Sequence, residues 1–189
     1  MNASASHVGR APLTPQQIGL IRAAGFASVA VALSLVGLKL AAWFATGSVA
    51  MLSSLADSVL DLLASSMTLI AVRFAFEPAD REHRFGHGKL EAIAGLAQAM
   101  IILGSAGYVA IQAVARLILP AAIQAPGIGT GVMMISLVLT IGLVLFQQLV
   151  IRRTGSIAIG ADELHYKGDV LTNIAVLVAI GLSTWPRAD

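Results

Sequence analysis

There is no cysteine in the chain. That excludes disulfides and any metal site built on thiolates, and it leaves the redox compartment unreadable. Charge is scarce too. Asp, Glu, Lys and Arg make up 12% of the 189 residues, where soluble domains carry about 25%. No nucleophile–base constellation and no glycine-rich phosphate loop is present, so an enzyme is not expected. Nucleic acid is not expected as a partner either. No convincing internal repeat is found.

What the chain has is hydrophobic length. Hydrophobic residues are 57% of the total and mean hydropathy is +0.85, so a lipid bilayer is the solvent for most of it. Apolar runs of spanning length fall at 23–45, 48–74, 90–119, 129–151 and 157–184. In hydrocarbon these must be helices, because their backbone groups have no water to bond. The expected fold is an all-α integral membrane protein, a bundle of five transmembrane helices. Residues 1–18, with Pro12 and Pro15, read as a poorly ordered cytoplasmic tail, and 19–189 as an incomplete transmembrane domain. The first run, after Arg22, exceeds the apolar core of a cleavable signal and is expected to stay in the membrane.

The connections alternate in character. Thr46-Gly47 is short and uncharged, whereas the link from Glu77 to Arg84 is long and polar. Arg10, Arg22, Arg73, Arg81, Arg84, Lys89, Arg152, Arg153 and Lys167 collect on one side, against Arg116 and Arg187 on the other. The positive-inside rule then makes the N-terminus cytoplasmic. Five spans leave Asp189 outside, and Trp185-Pro186-Arg187-Ala188-Asp189 reads as an interfacial turn leading onward. The expectation is a chain cut short, as a fragment or by a premature stop.

Against this apolar background four residues stand out. Asp57 and Asp61 are spaced i, i+4 in the second run, and His165 and Asp169 repeat that spacing in the fifth. Ionised groups in hydrocarbon cost several kcal/mol, so those retained face a pathway or a partner. Residues at i and i+4 share a helix face. Two such helices facing each other would present four oxygen or nitrogen ligands, the set of a tetrahedral divalent metal site. Close carboxylates resist ionising together, so the metal-free site holds protons and metal binding expels them. Alternate exposure of such a site to the two sides would make an antiporter.

The imidazole favours Zn2+, with Fe2+, Cd2+, Co2+ and Ni2+ as competitors, over Mg2+ and Ca2+. Ser54, Ser58 and Asn173 are expected to support the ligands from behind. Depth is a tension. Counted along straight helices, Asp57 and Asp61 lie roughly 14 and 20 Å inward, but Asp169 and His165 roughly 24 and 30 Å.

Other readings of these residues stand beside this one. Asp57 and Asp61 fit a proton relay without metal, or structural pairing with Lys39. The stretch from Asp162 to Asp169 fits a cytoplasmic loop when taken alone. Lys39 fits outward snorkelling, although its charge would also offset a net-negative loaded site. Gln98 and Gln112 fit interhelical hydrogen bonding. In the polar link, Asp80, His83 and His87 at i, i+3 and i+7 fit either an auxiliary metal site or a solvated loop, and Phe85-Gly86-His87-Gly88 can break a helix there.

At these motifs the chain resembles the cation diffusion facilitators. The matching stretches are Thr46-Gly47-Ser48-Val49-Ala50, the segment from Leu52 to Asp61, Phe85-Gly86-His87-Gly88-Lys89-Leu90-Glu91, and the segment from His165 to Asn173. The resemblance implies a metal transport site at Asp57, Asp61, His165 and Asp169 and an auxiliary loop site at Asp80, His83 and His87. It implies a homodimer with six helices and a cytoplasmic ferredoxin-like domain per chain. It implies export of Zn2+ or Fe2+ in exchange for protons at the bacterial inner membrane, with no tightly bound cofactor. Neither the sixth helix nor that domain is expected within these 189 residues, and the rival expectation is a truncated, non-transporting scaffold or partner subunit.

Overall fold

The computed structural model describes residues 13–76, 89–118 and 126–183. These form five helices: α1 (Pro15–Thr46), α2 (Val49–Ala75), α3 (Lys89–Ile118), α4 (Pro126–Thr154) and α5 (Ile157–Ser183). Asp80, His83 and His87 lie outside the described residues.

The local sequence sets where the helices start and stop. α1 opens on a capping box. Gln17 N donates to Thr14 Oγ1 at 3.3 Å, and Thr14 N donates to Gln17 Oε1 at 2.9 Å. Together these satisfy two otherwise orphaned amides, and Pro15 occupies a position that needs no amide. Residues 15–18, expected in the tail, are therefore helical. α1 ends at Gly47, whose left-handed φ of 60° lets its N–H reach Trp43 O at 2.7 Å. Gly155, with φ 64°, ends α4 in the same way.

Each helix has 27 to 32 residues, about 40–48 Å of length against a hydrocarbon core of about 30 Å. Four of them, α1 to α4, are both long and apolar enough to cross a membrane. α5 is as long as α2 but carries Asp162, Glu163, Lys167 and Asp169 in its first half. It packs against each of the other helices, which places the most polar helix in the middle of the bundle.

The side chains are sorted inside out relative to a soluble domain. Phe44, Leu103 and Val138 are 73%, 72% and 67% exposed, while Ser28, Ser58, Ser65, Gln147 and Asp162 are fully buried. Apolar side chains facing outward suit lipid, and small or polar ones facing inward suit close helix contact. At the end that holds the start of α1, here the basal end, Ile21, Ala24, Val72, Ala94, Val150, Ala158 and Ile159 form one apolar cluster. It draws residues from all five helices.

Two polar devices fix α5 within this packing. At its start, Glu91 of α3 accepts through Oε1 from Ser156 Oγ, from Ile157 N at 2.8 Å and from Ala158 N at 3.4 Å. A carboxylate borrowed from a neighbouring helix thus satisfies first-turn amides and meets the positive end of the α5 dipole. One to two turns further on, Asp162 is gripped from two sides. Gln147 Nε2 of α4 donates to its Oδ2 at 2.7 Å, and Ser65 Oγ of α2 donates to its Oδ1 at 3.3 Å. Gln147 Nε2 also reaches Ser28 Oγ of α1 at 2.9 Å, and Tyr166 Oη lies 2.8 Å from Ser65 Oγ. A buried carboxylate left without donors would cost several kcal/mol, so this network specifies both the depth and the rotation of α5.

Two outcomes follow. Glu91→Ala should cost about 1–2 kcal/mol of helix-end stability, seen as faster amide exchange at Ile157 and Ala158 while the middle of α5 stays protected. Asp162→Ala strands the donors of Gln147 and Ser65 in an apolar interior and should cost about 2–4 kcal/mol, read as a lower midpoint in detergent-solubilised unfolding. Unchanged midpoints would show that the network does not hold α5.

Candidate metal centre

α5 presents one polar face because Asp162, His165, Tyr166 and Asp169 recur at helical spacing. The helix is continuous from Ile157, so the loop reading of this stretch is corrected. With Asp162 and Tyr166 turned toward α1, α2 and α4, the flanking His165 and Asp169 are carried to α2 at the level of Asp61.

His165 Nε2 stands 2.9 Å from Asp61 Oδ1 and 3.9 Å from Asp169 Oδ2. The ligand atoms of Asp61, His165 and Asp169 all lie within 4.8 Å of one another. A tetrahedral ion with ligands at about 2.0–2.2 Å spaces their atoms about 3.4 Å apart, and 2.9 and 3.9 Å straddle that value. Side-chain exposure rises from 6% at His165 through 14% at Asp61 to 33% at Asp169. Asp169 Oδ2 is buried without a hydrogen-bond partner. A carboxylate oxygen held beside an imidazole and a second acid, with no donor of its own, is disposed to take a cation.

Three of the four expected ligands therefore meet. Asp57, one turn from Asp61 along α2, is exposed and falls outside this cluster. The depth tension disappears because α5 starts deep. His165 lies 8 positions into α5 and Asp61 lies 14 positions from the end of α2, so the start of α5 sits about 9 Å inward of that end.

Lys39 departs from the snorkelling expectation. Its Nζ donates to Ser58 Oγ at 2.6 Å and to Ser54 O at 3.2 Å, both on α2. Ser58 thus holds the lysine. Gln98 is fully buried, yet neither of its amide atoms has a hydrogen-bond partner, so the interhelical bond expected of it is not formed. The side chain of Gln112 lies outside the description.

Asp162 and Glu91 were missed as organising residues. The signal for Asp162 was in reach, since an acid three positions before His165 shares its face and falls under the same desolvation penalty. The role of Glu91 depends on α3 and α5 starting side by side, which no local pattern announces.

The sequence profile of the cation efflux transmembrane domain matches residues 25–188. The cation-efflux pump FieF of Salmonella arizonae is 48% identical over 172 residues, covering 90% of this chain and 57% of that protein. The FieF pumps of Salmonella paratyphi A and Salmonella agona match at the same identity and coverage. The chain thus spans 57% of the length of these curated relatives. A profile match running from the middle of α1 through α5, over helices that converge on Asp61, His165 and Asp169, establishes that this chain belongs to the cation efflux family.

Proposed function

We propose that the chain is the membrane portion of a divalent-cation exporter. Asp61, His165 and Asp169 bind the ion during transport, and Asp57 joins as a fourth ligand from one turn away. The observation that carries this reading is the convergence of two carboxylates and an imidazole from α2 and α5 within 4.8 Å, inside a bundle whose outer surface is apolar. The similarity to cation-efflux pumps over 90% of the chain points the same way.

The donor set argues for Zn2+ first, with Fe2+, Cd2+ and Co2+ as competitors, since Mg2+ and Ca2+ favour all-oxygen shells of higher coordination. Exchange for protons follows from the same atoms. The contact between His165 Nε2 and Asp61 Oδ1 at 2.9 Å needs a proton between them. An ion that takes both atoms as ligands displaces it.

Direction follows from charge. Arg73 ends α2, Arg152 and Arg153 end α4, and Lys89 opens α3. All are at the basal end with the start of α1, and this concentration of positive charge supports the reading that the basal end is cytoplasmic. The reading includes a bacterial inner-membrane location and a homodimer, and assigns Asp80, His83 and His87 of the polar link to an auxiliary capture site.

Calorimetric titration of the detergent-purified chain with Zn2+ should give one transport-site ion per chain. Affinity should fall about 100-fold or more in Asp61→Asn and His165→Ala, and about tenfold in Asp57→Asn. In proteoliposomes, zinc movement should run against a proton gradient and vanish in Asp61→Asn. Zinc flux that survives Asp61→Asn would remove the basis of this reading.

The loop assignment has its own test. His83→Ala combined with His87→Ala should raise KM for Zn2+ several-fold while leaving kcat within about twofold. Equal losses in both would mark the segment as structural.

A further inference from the structure

Lys39 is a half-buried cation for which the ligand set gives no role. A lysine at this depth on α1 would ordinarily extend its flexible stem to the nearest water. Here it turns across the α1–α2 contact, and Nζ donates to Ser58 Oγ at 2.6 Å and to Ser54 O at 3.2 Å. Ser58 is fully buried and sits between Asp57 and Asp61 in sequence. The lysine is thus anchored on the stretch of α2 that carries both acids, next to Asp57 and three positions before Asp61. The ammonium is therefore fastened beside the proposed ligands without being one of them.

The charge count gives this position a consequence. Three carboxylates and a neutral imidazole around a divalent ion leave a net charge of −1, and Lys39 brings the loaded group to zero. Before the ion arrives, the same lysine is already drawing on the field of the acids. In an interior of low effective dielectric, a fixed positive charge there repels an incoming cation over distances that water would screen.

The geometry points to Lys39 as a tethered counter-cation that competes with the transported ion for the field of Asp57, Asp61 and Asp169, and so keeps affinity low enough for the ion to leave. This rests on the reading of those acids as the transport site. A transporter must release what it binds, and a charge that weakens binding without blocking a ligand position speeds release. The polar anchors matter as well. Ser58 Oγ and Ser54 O hold Nζ back from direct ion pairing with Asp61, which would block a ligand atom.

The test uses Lys39→Gln, which keeps a hydrogen-bond donor for Ser58 and Ser54 but removes the charge, with Lys39→Arg as the charge-conserving control. Zn2+ binding is measured by calorimetry at mildly alkaline pH, where proton competition is least, and transport in proteoliposomes. Lys39→Gln should bind Zn2+ about tenfold more tightly, with KM and kcat both reduced. Lys39→Arg should stay within about twofold of the unaltered chain. Ser58→Ala, which frees the ammonium without removing it, should shift affinity in a charge-dependent way that disappears in the double variant with Lys39→Gln.

If Lys39→Gln lowers thermal stability while zinc affinity is unchanged or weaker, the lysine is merely structural and the inference is overturned. Asp61→Asn separates this from failure of the underlying reading. If Asp61→Asn weakens zinc binding and Lys39→Gln leaves it unchanged, the counter-cation role alone falls. If Asp61→Asn binds zinc as tightly as the unaltered chain, both fall together.

Discussion

A carboxylate removed from water has to find donors, and Asp162 finds them on neighbouring helices. Gln147 of α4 and Ser65 of α2 bond it directly, while Ser28 of α1 joins through Gln147. Moving α5 to the rim of the bundle, or turning it by one residue, would break these bonds and leave the charge in hydrocarbon. The desolvation cost of a single acid therefore fixes where the most polar helix lies and which way it faces. His165 and Asp169 meet α2 at Asp61 because Asp162 and Tyr166, bonded to Ser65 of α2 and to α1 and α4, fix the rotation of α5.

The acids of α5 consequently differ in kind. Asp162 is fully buried and has donors on both oxygens. Asp169 is a third exposed, and its Oδ2 has no hydrogen-bond partner. Saturated bonding suits a residue that holds helices together, because its interactions are already made. An under-bonded oxygen facing an imidazole and another acid suits a residue that exchanges ligands. Glu163, by contrast, pairs with Lys167 at 2.6 Å along the helix and so carries its own counter-charge. Lys39, unlike Lys167, is bonded only to serine oxygens.

The bundle around these residues obeys the solvent it is built for. Many large aliphatic and aromatic side chains point outward, and the interior mixes aliphatic residues such as Ile21, Val72 and Val150 with buried Ala, Ser, Thr and a few amides. With lipid outside, no hydrophobic force drives the helices together, so association depends on close backbone approach and on polar contacts between helices.

Much of this was readable from residue order. Hydrophobic run length gave each helix to within a few residues, apart from the start of α1, because a backbone in hydrocarbon has no alternative to helical bonding. The i, i+4 pairs at Asp57/Asp61 and His165/Asp169 were visible because in-membrane charge is rare enough to be informative. Which of those four side chains actually meet was not visible. It depends on how far α5 is sunk relative to α2, and that offset is set by Glu91 at the start of α5 and Asp162 within it, through contacts 65 to 97 positions apart. Local periodicity names the face a residue occupies. Only the packing of five helices decides what that face meets, because rotation and depth are chosen by the long-range bonds that a buried charge must make.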